Sequence, residues 1–93
     1  MERGRGEEYV KPVRLSGHAS GYTARRGFTP AEVEEAIRKS PWEEAELGRM
    51  ECRLDFPFGR EWNGKLYATK QIRPIFIETP DEIVVVTVYT YYF

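Results

Sequence analysis

The sequence predicts a small α+β domain in which two N-terminal helices pack on a three- or four-stranded antiparallel sheet. Three observations carry that prediction. "TPAEVEEAIRK" has the capping residues and apolar spacing of a helix, "RMECRLDF" switches to a period of two, and "IVVVTVYTYYF" is apolar or aromatic on both sides, as a central strand is.

Residues 1–11 are polar, contain two glycines and have no periodicity, so they read as a flexible tail before a single domain over 12–93. "PVRLS" (12–16) is an extended lead-in with Val13 and Leu15 on one side. A first short helix is predicted over 18–26, with Ser16 as N-cap, Gly21 as a weak point and Gly27 as the stop. The second helix has the better-defined signals. Thr29 is its N-cap, Pro30 sits at N1 and Glu32 completes a capping box, while Phe28 and Val33 occupy the two positions of a hydrophobic staple. Val33, Ala36 and Ile37 form the inner face, and Ser40-Pro41 ends the helix.

From 49 to 56, Met50, Cys52, Leu54 and Phe56 alternate inward against Arg49, Glu51, Arg53 and Asp55 outward. "FGREWNG" reads as a loop with a hairpin turn at Asn63-Gly64, followed by a strand over 65–72 that Arg73-Pro74 interrupts before "IFIE" resumes. In the last strand, Val84, Val86 and Val88 are assigned to the helix side and Ile83, Val85, Thr87, Tyr89 and Tyr91 to the other face.

With 41% hydrophobic and 14% aromatic residues, the chain belongs with folded domains rather than disordered ones. No apolar run is long enough for a spanning helix and the first residues lack an apolar signal core, so the expectation is a cytoplasmic protein without a membrane partner. Cys52 and His18 are the only residues of their kinds, which excludes an intrachain disulfide and a zinc site; no cofactor and no metal are expected, although a carboxylate-bound magnesium ion needs only an acid or two. The net charge of −1 argues against generic nucleic-acid binding. Its distribution is uneven, however: residues 1–28 carry six Lys/Arg against three acids, and 29–55 carry four against eight. A basic first third can still form a local anion site.

"GHASGYTARRGFTPAEVEEAI" together with "EIVVVTVYT" resembles the small bacterial domain family of unknown function numbered 4258. The matching residues are His18-Ala19, Arg25, Arg26-Gly27, the helix through Val33 and Ile37, and Val86-Thr87-Val88, covering about 13–40 and 83–90. The resemblance implies the compact fold of RelE-like and BrnT-like toxins. It also implies a toxin of a toxin–antitoxin pair that acts as a metal-independent endoribonuclease, with RNA and a small antitoxin protein as partners. The alternative is a non-catalytic interaction module of the same fold, and the aromatic C-terminal strand suggests a homodimer formed through it.

Metal-independent RNA cleavage needs a base for the 2′-hydroxyl proton and cationic donors for the developing phosphorane charge. On a helix, His18, Tyr22, Arg25 and Arg26 share one face. The imidazole suits acid–base work near neutrality, and guanidiniums offer paired donors to phosphate oxygens. The candidate catalytic residues are therefore His18, Arg25, Arg26, Thr87 and Tyr89, with Tyr22, Lys70, Arg73 and Tyr67 as RNA-binding candidates and Trp62 as a further stacking surface. Each has a plainer role open to it: a hydrogen-bonding histidine, an Arg25 pair with Glu32 or Glu35, a dipole-favoured Arg26, and packing tyrosines.

Overall fold

A computed structural model describes residues 11–93; most of the expected tail, residues 1–10, lies outside the described residues. Lys11, assigned to that tail, is part of the domain, since its ammonium pairs with Glu78 at 2.8 Å and its carbonyl accepts from Arg38 at 2.9 Å.

The elements run β1 (Val13–Leu15), α1 (Gly17–Ser20), α2 (Thr23–Arg26), α3 (Pro30–Lys39), β2 (Glu43–Glu44), β3 (Met50–Glu51), β4 (Leu54–Trp62), β5 (Lys65–Glu78) and β6 (Ile83–Tyr92), with a 3-10 turn at Glu46–Gly48. One six-stranded mixed sheet has the order β1-β6-β5-β3-β2, and β4 pairs with β5 beside β3. This overturns the predicted arrangement of two helices on a three- or four-stranded antiparallel sheet. The lead-in "PVRLS" is a strand that joins β6 in parallel, with Val13 opposite Ile83 and Leu15 opposite Val85. Its extended form and the shared side of Val13 and Leu15 are legible in the sequence, but parallel pairing brings together segments far apart in the chain, so its partner leaves no local trace.

The predicted first helix is two four-residue helices rather than one. Ser16 does cap α1, accepting from the Ala19 amide at 3.1 Å, and Gly27 ends α2 in the left-handed region at φ 77°. The break falls at Gly21-Tyr22, where glycine has a low helix propensity. α3 forms as the capping signals indicate: Thr29 and Glu32 exchange both capping-box bonds, at 3.1 and 3.0 Å. Its inner face of Val33, Ala36 and Ile37 is buried with Phe28, Cys52, Ile72, Phe76, Ile83, Val85 and Val88.

Two irregularities position everything else. Pro74 sits inside the continuous strand β5, and the interruption falls on its neighbour: β3 stops at Glu51 and β4 starts at Leu54. The Cys52 amide still donates to the Pro74 carbonyl at 3.4 Å, but proline has no N–H to return the bond. In β6, Thr87 pairs with Ile75 and Val85 with Phe76, which leaves Val86 in a bulge. The bulge shifts side-chain parity. Ile83, Val85 and Val88 all face the core, so the expected sorting toward the helices holds for Val88 but fails for Val84 and Val86, and Ile83 and Val85 take their place, while Thr87, Tyr89 and Tyr91 remain on the face away from α3. The expected loop at 58–64 is mostly strand. β4 runs through Trp62, bulging near Gly59, and turns at Asn63-Gly64, whose φ values of 52° and 84° fit a two-residue hairpin turn. Among the described residues, no helix is long and apolar enough to cross a membrane.

Candidate functional site

α1 and α2 are splinted against β6. The Ser16 amide donates to the Val85 carbonyl at 2.9 Å, Ala19 is fully buried beneath α1, and the Tyr92 hydroxyl donates to the Arg26 carbonyl at 3.1 Å. With Ala19 pinned inward, His18 is turned to solvent. Its ring meets Tyr22 edge-on, with centroids 4.9 Å apart, and the same phenol ring carries the Arg26 guanidinium at 4.1 Å and that of Arg25 at 5.2 Å. The imidazole, the phenol and the two guanidiniums thus converge on Tyr22 even though no single helix spans them.

Arg26 extends the cluster onto the sheet. It donates to the Val88 carbonyl at 2.7 Å and to the Thr87 hydroxyl at 3.4 Å, and it lies 5.3 Å from the Tyr89 ring centre. Arg73 lies 5.6 Å from that same ring centre. Arg73 in turn donates to Glu51 at 2.6 Å and to the Tyr91 hydroxyl at 3.1 Å, and the hydrogen bond to Glu51 pushes its pKa further up, so it stays charged. Beyond Arg73, an open groove of about 660 Å³ is bounded by Thr87 and Tyr89 on one side and by Glu46, Leu47 and Arg49 on the other, with Glu51 and Arg73 also lining it.

The structure therefore brings His18, Tyr22, Arg25, Arg26, Thr87, Tyr89 and Arg73 into one continuous band. Two predicted RNA-binding residues are elsewhere. Lys70 is 6% exposed and committed, donating to the Gly27 carbonyl at 2.9 Å and pairing with Glu32 at 2.8 Å. It fastens the start of α3 to β5, so its charge is not on offer to a phosphate. Tyr67 packs 5.7 Å from Tyr92, on which Trp62 stacks at 4.8 Å, and it is Tyr92 and Trp62 that lie against Gly27. The proposed Arg25 pairing with Glu32 or Glu35 does not form: Glu32 holds Lys70 and Glu35 holds Lys39.

Sequence reading did not single out Arg49 and Glu51. The alternation that assigned them to the outward face was the available signal, since that face is the floor of the groove rather than bulk surface. Cys52 takes no part: it is buried, donates to the Ala36 carbonyl at 3.3 Å, and burial pushes its thiol pKa up to about 11. Comparison with protein-family models, curated proteins and solved structures returns no match.

Proposed function

We propose that the protein is a metal-independent endoribonuclease of the toxin type, with His18 as acid–base group and Arg25 and Arg26 as phosphate-binding groups. One observation carries the reading: a solvent-facing imidazole and two guanidiniums gather around Tyr22, and neither guanidinium forms an ion pair with an acid among the described residues. Such a grouping suits a scissile phosphate, with the imidazole for proton transfer and the guanidiniums for the developing charge.

In this reading His18 removes the 2′-hydroxyl proton, and the 2′-oxygen attacks phosphorus. The bond to the 5′-oxygen breaks, leaving a 2′,3′-cyclic phosphate and a 5′-hydroxyl whose proton comes from water at this open site. Arg25 and Arg26 take up the charge that develops on the equatorial oxygens. Arg26 is steadied by Val88 and Thr87, which keeps part of its donor fork fixed. A local cluster of cations around Tyr22, on a domain whose groove also carries acids, would favour an unpaired RNA strand held locally over long tracts of duplex.

The test is induced expression of the full chain in a bacterial host beside His18→Ala and Arg25→Ala. Growth arrest with fragmented RNA, lost in both variants while they stay folded, is the expected result. Exposed Leu47, Tyr89, Tyr91 and Phe93 favour a second reading, docking of a partner protein such as an antitoxin. That reading predicts no dependence on His18.

A further inference from the structure

The groove beside the proposed phosphate site is long enough to hold more than a phosphate. Its volume of about 660 Å³ falls within the range of small-ligand sites. One wall is the Tyr89 ring, 40% exposed and shared between Arg26 and Arg73 at 5.3 and 5.6 Å. The other includes Leu47, 84% exposed and held at φ 61°, a conformation that a leucine adopts only when its turn imposes it. An apolar side chain facing water across from an accessible aromatic ring is suited to gripping a flat heterocycle.

The polar lining says which heterocycle. Glu51 is 9% exposed, and one of its oxygens accepts from Arg73 at 2.6 Å. The other forms an ion pair with the Arg53 guanidinium at 3.6 Å, without a hydrogen bond. A carboxylate has acceptor capacity for about four hydrogen bonds, so this one is fixed in place with capacity remaining. Arg49 lines the same groove. Guanine alone among the four bases presents two adjacent donors, N1–H and the 2-amino group, to a carboxylate while offering O6 and N7 to a guanidinium. Uracil would aim a carbonyl at Glu51 on either side of its single N–H. Adenine and cytosine would present one amino group next to a ring-nitrogen acceptor.

We infer that this groove is a guanine-selective base subsite, with Glu51 reading N1–H and the 2-amino group and Tyr89 and Leu47 flanking the ring. The inference rests on the ribonuclease reading for the phosphate that the nucleotide presents to Arg26, but it has a separate test. The full chain is titrated calorimetrically with 3′-GMP, 3′-IMP, 3′-AMP and 3′-UMP, and RNA cleavage by the wild type and by His18→Ala is followed in parallel. The expected order has 3′-GMP binding about tenfold or more tighter than 3′-AMP and 3′-UMP. 3′-IMP, which lacks the 2-amino group, should be intermediate, and Glu51→Gln should abolish the preference. The inosine comparison uses the unaltered protein and so does not depend on the variant folding. Equal affinity for all four nucleotides, or no binding of any, overturns the subsite; RNA cleavage that still needs His18 would then leave the ribonuclease reading standing. Guanine preference without RNA cleavage supports the subsite and removes the ribonuclease.

Discussion

Gly27 is the residue on which the site depends most sharply. Its φ of 77° is left-handed, and a β-carbon placed there would run into the Tyr92 hydroxyl and the Trp62 ring. Gly27→Ala should therefore cost about 2–4 kcal/mol in chemical denaturation, through backbone strain and overpacking together. Thr29→Ala removes a single capping acceptor and should cost about 1 kcal/mol by the same measurement. Cys52 gives a pH prediction. The folded thiol keeps its proton up to about 11, whereas an unperturbed one loses it near 9.0. Because the folded value is the raised one, the contribution is present in full below about pH 9 and is lost as pH rises through 11. Stability measured against pH should fall across that window. At pH 8 a thiol reagent should react with the native protein far more slowly than with the unfolded chain.

At the scale of elements, the Lys70–Glu32 pair joins a strand to a helix start, and it marks Lys70 as a structural cation. Lys70→Met leaves the Gly27 carbonyl and the Glu32 carboxylate without their buried donor, and should cost about 2–3 kcal/mol in denaturant. On the proposed reading, RNA cleavage per folded molecule should persist, since the Lys70 ammonium is buried against Gly27 and Glu32 and is not offered to a phosphate. The sequence made some elements legible and hid others for identifiable reasons. Thr29, Pro30 and Glu32 specify the start of α3 through contacts three residues apart, and Asn63-Gly64 specifies a hairpin turn, so both could be read locally. The bulge at Val86 and the gap opposite Pro74 depend on which strand lies alongside, and β1 depends on a partner some 70 residues away, with Val13 opposite Ile83. Those errors propagate: a one-residue bulge exchanged the faces of β6 around it, although Thr87 and Tyr89 stayed on the open side.

For the whole molecule, the site was partly legible because His18, Tyr22, Arg25 and Arg26 are near neighbours in the chain. A broken helix still collects them around one ring. Arg73 reaches the same band only through the β5–β6 pairing that sets it opposite Tyr89, and Glu51 only through the pairing of β3 with β5. The near-neutral charge is consistent with this arrangement, since the groove is lined by Glu44, Glu46 and Glu51 as well as by Arg49 and Arg73. On the proposed reading, binding to RNA should accordingly weaken with salt by only about two phosphate contacts, those assigned to Arg25 and Arg26, which is a shallow slope.

The most direct test of the central claim is cleavage of a single-stranded RNA by the purified full chain in the presence of a metal chelator, with the product ends identified. The account predicts 2′,3′-cyclic phosphate and 5′-hydroxyl ends, and loss of at least a hundredfold in rate in a folded His18→Ala variant. Intact RNA with well-folded wild-type protein, or cleavage that His18→Ala leaves unchanged, would contradict it.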